Sequence, residues 1–430
     1  MLKSILQYLL KYFSQKIIAK YSPDIVGITG SIGKTSTKEA TAAVLATKFS
    51  IRKSVKNYNN EIGLPLTIIG IEETPGRSIL GWLKVFNKIR KLIFFRSKNY
   101  PEILVLEMGA DRPGDIKYLT SLAPCKVGVL TYISHAHTEY FKTLKKIAQE
   151  KRQIITHLNK DGFAILNYDN ALVMENAHLT KAEVITFGFN EGADLRASDI
   201  NIIYNEIDWP AGLNFKLNYK GNIVPAFLPD AVAEHLIPSA LAGLAIGLVF
   251  GINLVEGIEA IKKTTPVAGH MRLIPGIKGT MLIDDTYNSS PEPTKSALRT
   301  LQKIGTKPNA RRFAVLGDML ELGSETENAH REIGFMTAET GVEFLITVGT
   351  ASKYTAQAAR EAGLSDDQIA SFDDSFAAGK FLQQKIAQND IALIKGSQGV
   401  RMEKIVKELM AEPLQSRELL VRQDHNWLQN

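Results

Sequence analysis

At 430 residues the chain is too long for one hydrophobic core, so two or three domains are expected. Its 45% apolar and 22% charged content is that of a globular protein, and a single cysteine, Cys125, excludes an intrachain disulfide and fits a reducing cytoplasm. No stretch reaches the roughly 18 apolar residues of a spanning helix, and no small-residue cleavage site follows an apolar core.

Residues 1–22 place Leu2, Ile5, Leu6, Leu9, Leu10, Phe13, Ile17 and Ile18 mostly three, four or seven apart, the spacing of an amphipathic helix. Its charges are Lys3, Lys11, Lys16 and Lys20, with no acid among them. Residues 24–37 follow as an apolar strand (Ile25, Val26, Ile28), a glycine loop and a helix over 35–48. Strand, loop and helix in that order make a phosphate cradle: glycines let backbone N–H groups turn inward, and the helix N-terminus adds its positive end. The candidate triphosphate residues are Gly30, Ser31, Ile32, Gly33, Lys34, Thr35 and Ser36. Lys34 is the point charge and the Thr35 hydroxyl a magnesium contact. Position 28 holds Ile28 where the usual spacing wants glycine, so the match is to a shorter Gly-x-x-Gly-Lys-Thr form.

The polar run from Lys56 through Asn59-Asn60-Glu61 to Pro65 is a binding-type loop. Residues 77–100 then repeat the opening theme: Leu80, Trp82, Leu83, Val85, Phe86, Ile89, Leu92, Ile93, Phe94 and Phe95 interleave with seven Lys/Arg and no Asp or Glu. Both basic stretches suit either packing on the protein with lysines in water or peripheral contact with an anionic membrane. Neither interleaves aromatics as a base-stacking platform does, so nucleic acid is not expected.

A second buried strand, Ile103-Leu104-Val105-Leu106, ends at Glu107, a carboxylate placed to hold the magnesium of a nucleotide. A third, over 127–131, delivers Ser134-His135-Ala136-His137-Thr138-Glu139 to the same edge. Third and fourth ligands at metal spacing are missing there, so zinc is not expected. A helix carrying Lys151, a strand over 162–167, an alternating segment over 195–230 with a turn at 218–222, and an Ala/Leu/Gly-rich helix over 238–252 complete the first unit. The loop-like run 264–269 is the candidate boundary, giving a helix at 1–22, a central domain at 23–267 and a C-terminal domain at 268–430. Beyond it, strands at 281–285, 313–317, 344–348 and 391–394 alternate with helices, which argues a second, Rossmann-like parallel sheet. The fold class is therefore α/β: a P-loop domain with a mostly parallel sheet, then a Rossmann-like domain.

In order and spacing these motifs resemble the ATP-dependent Mur ligases of bacterial cell-wall synthesis, over roughly residues 24–410. Thr29-Gly30-Ser31-Ile32-Gly33-Lys34-Thr35 looks like the family's phosphate loop, and Asn59, Asn60 and Glu61 like its muramoyl-peptide loop. Glu107-Met108-Gly109 looks like its metal-binding acid, and His137 like its metal-side histidine. Asp284-Asp285-Thr286-Tyr287-Asn288 resembles the segment near adenosine, with Asp284, Tyr287 and Asn288 as candidate contacts. Arg272 is read as a substitute for an arginine expected where His270 stands. The run from Leu316 to Gly323, together with Lys395 and Ser397, points to the dipeptide-adding branch.

The resemblance implies ATP and Mg²⁺ as cofactors, UDP-muramoyl-peptide and D-Ala-D-Ala as substrates, and a cytoplasmic monomer that works at the inner membrane surface if the basic helices touch lipid. It implies Lys34, Lys151 and His137 as catalytic residues and Thr35, Glu107, His137 and Lys151 as the metal set, Lys151 matching a lysine that the family carbamylates. The sequence departs from the family at Tyr132, at Arg152-Gln153, at Ala233-Glu234-His235-Leu236 and at His270. Where the family carries a uridine-binding domain, only the helix of residues 1–22 is expected, leaving uridine recognition to come from elsewhere. Folate-extending and cyanophycin-type ligases share the same core, and a nucleotide-binding scaffold at the membrane is the non-enzymatic alternative.

Overall fold

A computed structural model describes the chain at every position except 1, 56–57, 77, 135–140, 142, 306, 424–426 and 428–430. Among the described residues fifteen strands form two sheets. The first contains β1 (Asp24–Thr29), β2 (Ile51–Lys53), β3 (Ile103–Glu107), β4 (Val127–Leu130), β5 (Phe163–Asn167), β6 (Glu183–Gly188), β7 (Leu195–Tyr204), β8 (Pro210–Tyr219) and β9 (Asn222–Pro229). Their order is β2-β3-β1-β4-β5-β6-β7-β8-β9, parallel through β7 and antiparallel beyond it. Lys220 and Gly221, both at positive φ, close the β8–β9 hairpin where the sequence places its turn.

The parallel strands are apolar on both faces because both are covered. One face is packed by α1 (Leu2–Tyr21), α3 (Gly63–Ile69), α4 (Ile79–Phe94) and α5 (Asp115–Leu122). The other carries α2 (Lys34–Leu45) and the helix Ile237–Val249, whose small residues let the two pack closely: a Cβ on Gly243 would come 3.0 Å from Ala40. Both basic segments are helical, and each buries one side: Leu10, Ser14 and Ile17 in α1, and Val85, Ile89 and Leu92 in α4. The described residues contain no helix long and apolar enough to cross a membrane.

The second sheet is built from β10 (Arg272–Pro275), β11 (Met281–Asp285), β12 (Arg312–Gly317), β13 (Phe344–Val348), β14 (Ile369–Phe372) and β15 (Ile391–Lys395), in the order β10-β11-β15-β12-β13-β14. Only β10 runs antiparallel. Two apolar clusters, one on each side, bury it as a doubly wound sheet requires.

Candidate functional site

The loops at the carboxyl ends of both sheets line one cleft of about 720 Å³, as expected for ligand sites in open α/β folds. Gly30 and Gly33 shape its floor. A Cβ on Gly30 would lie 1.9 Å from Thr131 Oγ1, and Gly33 sits at φ +82° as the residue that starts α2. The loop is fastened from β4: Thr131 Oγ1 donates to the Ile32 carbonyl at 2.6 Å, and Ser31 N donates to the Tyr132 carbonyl at 2.7 Å. Tyr132 thus contributes its backbone here, and a side chain other than asparagine leaves that bond intact.

Two ammonium groups converge on one carbonyl. Lys34 Nζ donates to Gly30 O at 2.8 Å, and Lys151 Nζ donates to the same oxygen at 3.1 Å. Burial lowers the pKa of Lys34 against the pull of Glu107 and Asp111. Lys151 is pushed down to about 7, first by burial and then by the Lys34 charge, with Glu150 and Asp111 opposing. The neighbouring Glu150 turns away to accept from Gly114 N and Ile116 N, both at 2.7 Å, at the start of α5. That anchor fixes the backbone from which Lys151 reaches the loop.

Glu107, buried at the end of β3, collects the next group. Its Oε2 accepts from Thr35 Oγ1 at 3.0 Å and its Oε1 from Asn59 Nδ2 at 3.1 Å. Lys38 Nζ stands 3.6 Å from Oε2 and 3.5 Å from Glu39. Lys38 and Asp111 went unnoticed in the sequence; the signal for Lys38 was its place one helical turn after Thr35. The carboxylate and hydroxyl are both hard oxygen donors, the kind magnesium prefers.

Several expected residues occupy other roles. Asn60 lines the cleft, yet its Oδ1 accepts from Ile62 N (3.2 Å) and Gly63 N (2.9 Å), capping α3. Glu61 also lines it and is held by Gln7 Nε2 at 2.9 Å and Lys3 at 3.3 Å. Asp284 is a correction: it is fully buried and accepts from Gly269 N, Thr286 N and Thr286 Oγ1. Burial raises its pKa to about 6. The next carboxylate, Asp285, is the one on the cleft. Arg272 is likewise off the cleft lining, paired with Asp284 in the β10–β11 ladder, whereas His270 lines it. Lys395 and Ser397 line the cleft but are engaged: Lys395 Nζ bonds Asp285 at 2.7 Å and Asn288 O at 2.9 Å, and Ser397 Oγ accepts from Leu320 N at 2.9 Å. His137 lies outside the described residues.

An adjoining cavity of about 1120 Å³ opens at Tyr287. Tyr287 stacks on His270 with ring centroids 4.6 Å apart. Arg422 lies 5.8 Å from the Tyr287 ring and donates to the carbonyls of Thr286 (3.0 Å) and Tyr287. Trp427 borders both spaces. Flat rings beside the Gly30–Gly33 loop form a surface on which a nucleobase can stack.

Residues 28–77 and 86–222 match the Mur ligase middle domain, and residues 269–398 match the Mur ligase, glutamate ligase domain. The UDP-N-acetylmuramoyl-tripeptide–D-alanyl-D-alanine ligase of Bacillus subtilis is 29% identical over 412 residues, covering 95% of this chain and 80% of that one. The enzyme of that name from Mycobacterium leprae is 30% identical over 409 residues, covering 90% and 74%. Among solved structures, the MurF ligase from Thermotoga maritima in complex with ADP superposes with a TM-score of 0.77 at 26% identity, covering 96% of this chain and 84% of that one.

Proposed function

The chain belongs to the Mur ligase family, and we propose that it is the ATP-dependent ligase joining D-alanyl-D-alanine to a UDP-N-acetylmuramoyl-tripeptide in peptidoglycan synthesis. The observation that carries this reading is the convergence of Lys34 and Lys151 on Gly30 O, beside the Glu107–Thr35 pair and opposite Tyr287 in one cleft. The relatives named above support the dipeptide-adding branch over the folate-extending one.

The reaction is two displacements. A carboxylate oxygen of the tripeptide attacks the γ-phosphorus of ATP, the bond to the β-bridging oxygen breaks, and ADP leaves an acyl phosphate. The amine of D-Ala-D-Ala then attacks the acyl carbon; an amide forms, phosphate departs, and the nitrogen loses a proton. Both steps need alignment and charge neutralisation more than covalent help from the protein. Lys34 and the amides of the Gly30–Gly33 loop carry the triphosphate, and the Tyr287–His270 stack with Arg422 receives the base. Thr35 and Glu107 are the residues to hold a magnesium ion, which when bound neutralises charge on the transferring phosphoryl group. Asn59 orients the Glu107 carboxylate, and Lys395 holds the loop of Asp285 and Asn288 across the cleft.

Lys151 has a further role in this reading. Its amine, drawn down to about pH 7, is substantially unprotonated at neutral pH and open to attack on carbon dioxide, forming an N–C bond with loss of a proton. The carbamate would turn a cation into an oxygen donor in the same cleft as Glu107. The work is assigned to the cytoplasm, to a monomer, and to no nucleic-acid partner.

Incubation with ATP, Mg²⁺, UDP-muramoyl-tripeptide and D-Ala-D-Ala, followed by mass spectrometry, tests the assignment. Product is expected at the combined mass of the two substrates less one water, with stoichiometric ADP. Omission of the dipeptide should suppress it, and Lys34→Ala should abolish it; product formation without ATP, or undiminished by Lys34→Ala, would remove the phosphate-loop assignment.

A further inference from the structure

Two elements that the catalytic reading leaves unused lie side by side on one face. α1 and α4 meet through Phe13 and Phe86, ring centroids 6.5 Å apart, and Lys20 Nζ donates to Leu92 O, Ile93 O and Phe95 O at the end of α4. Each helix buries one side, so its other side should carry the mixed charges of a water-facing surface. It does not. Leu80 and Leu83 of α4 are 72% and 59% exposed, Phe94 and Phe95 75% and 69%, and Ile79 stands out beside them. On α1, Ile5, Tyr8 and Tyr12 are exposed as well.

At 100° per residue Ile79, Leu83 and Phe94 fall within an arc of roughly 60°, with Leu80 about 40° further round. Lys84, Arg90 and Lys91 project from the same outward side, and Arg96 and Lys98 follow the helix, all exposed. No acid occurs in residues 78–100 or 2–21. Among the described residues no ion pair engages Lys84, Lys91, Arg96 or Lys98. The match to the family's middle domain passes over residues 78–85, which hold Ile79, Leu80 and Leu83, and resumes at residue 86 to include Phe94 and Phe95.

We infer that the α1–α4 face docks on an anionic lipid bilayer. The aliphatic and aromatic side chains enter the boundary between headgroups and acyl chains, and the flanking lysines and arginines meet lipid phosphates. The charge decides between occupants: a second copy of the same face would set cations against cations, whereas a bilayer bearing negative headgroups complements both the apolar ridge and its rim.

The test is co-flotation of the full chain with vesicles of phosphatidylcholine containing phosphatidylglycerol, against phosphatidylcholine alone. Binding is expected to the anionic vesicles only, and to fall in 1 M salt, where screening acts over about 3 Å. Leu80→Glu/Leu83→Glu should weaken it by about tenfold or more, as loss of inserted apolar area demands, and Lys84→Gln/Lys91→Gln should weaken it at low salt. Both pairs are exposed and line neither the cleft nor the adjoining cavity, so ATP-dependent ligation in solution should be unchanged, which separates this outcome from failure of the ligase reading. Absence of flotation, equal binding to both vesicle types, or indifference to the substitutions would overturn the inference. So would a dimer in light scattering that Leu80→Glu/Leu83→Glu dissociates without any vesicle binding.

Discussion

Gly30 and Gly33 serve one loop for different reasons. At Gly30 the obstacle is packing, since a Cβ would overlap the Thr131 hydroxyl that holds Ile32 O. At Gly33 there is room, the nearest atom being Ser239 Oγ at 3.5 Å, and the obstacle is the left-handed backbone at φ +82°. Gly33→Ala is therefore expected to cost about 1 kcal/mol, the ordinary strain of an L-residue there. It should lower the melting temperature by a few degrees and weaken ATP binding modestly. Gly30→Ala should displace the loop and abolish ATP binding. Thermal melts and nucleotide titrations of the two variants check this, and equal losses would contradict the distinction. If Lys34 holds the triphosphate as proposed, Lys34→Ala removes a buried charge from it and should take ligation below detection, a loss in kcat of at least about 10², while lowering the melting temperature little.

At the scale of elements, α4 is held at its C-terminus by another helix. Lys20 of α1 places its ammonium on three carbonyls at 2.9 to 3.0 Å, adding a second cation to Lys91 of α4's own last turn. Tyr21 adds its hydroxyl to Leu92 O and Phe95 O and stacks on Tyr100. Lys20→Met keeps the stem and drops the charge, so a loss of about 1–2 kcal/mol is expected. Hydrogen exchange should then rise in residues 90–95 while β1 and β3 stay protected.

Such contacts mark the limit of what periodicity reveals. The strands and the strand–glycine loop–helix unit around Lys34 were legible because apolar runs, glycines, Lys34 and Thr35 are neighbours in sequence. The choice between Asp284 and Asp285 was not: β11 is buried on both faces, so no alternation says which acid meets the cleft. Asn60 and Glu61 sat in the expected loop; the Asn60 bonds to Ile62 N and Gly63 N are local, but the bonds of Glu61 to α1 depend on tertiary placement. Arg422 reaches Tyr287, and Trp427 the same cavity, from more than a hundred residues downstream, with no local pattern to announce them.

The whole molecule depends on how the two sheet units are joined, and one joint is a histidine. His235, just before the helix Ile237–Val249, shares a hydrogen bond at 2.8 Å with Ser296 of the helix Pro291–Lys303. Glu234–Lys303 (2.7 Å) and the Gly305 N to Tyr204 OH bond (2.8 Å) lie near it, and Trp209 and Ile202 pack into the apolar cluster of the second sheet. Burial pushes the His235 imidazole down to about 4; the charges of Lys395 and His270 act in the same direction and Asp285 opposes them. The folded state thus favours the neutral ring, while the unfolded chain takes up its proton near 6.5. Stability from this group is complete above about pH 6.5 and is lost progressively as pH falls toward 4, by roughly 3 kcal/mol at most. His235→Gln retains a hydrogen-bonding side chain without the titration. Its melting temperature is expected to fall less between pH 7 and pH 4 than that of the wild type. Carboxylates and the buried His330 titrate in both proteins and cancel in the comparison, so parallel profiles would show that the joint between the sheets is not sensitive to this proton.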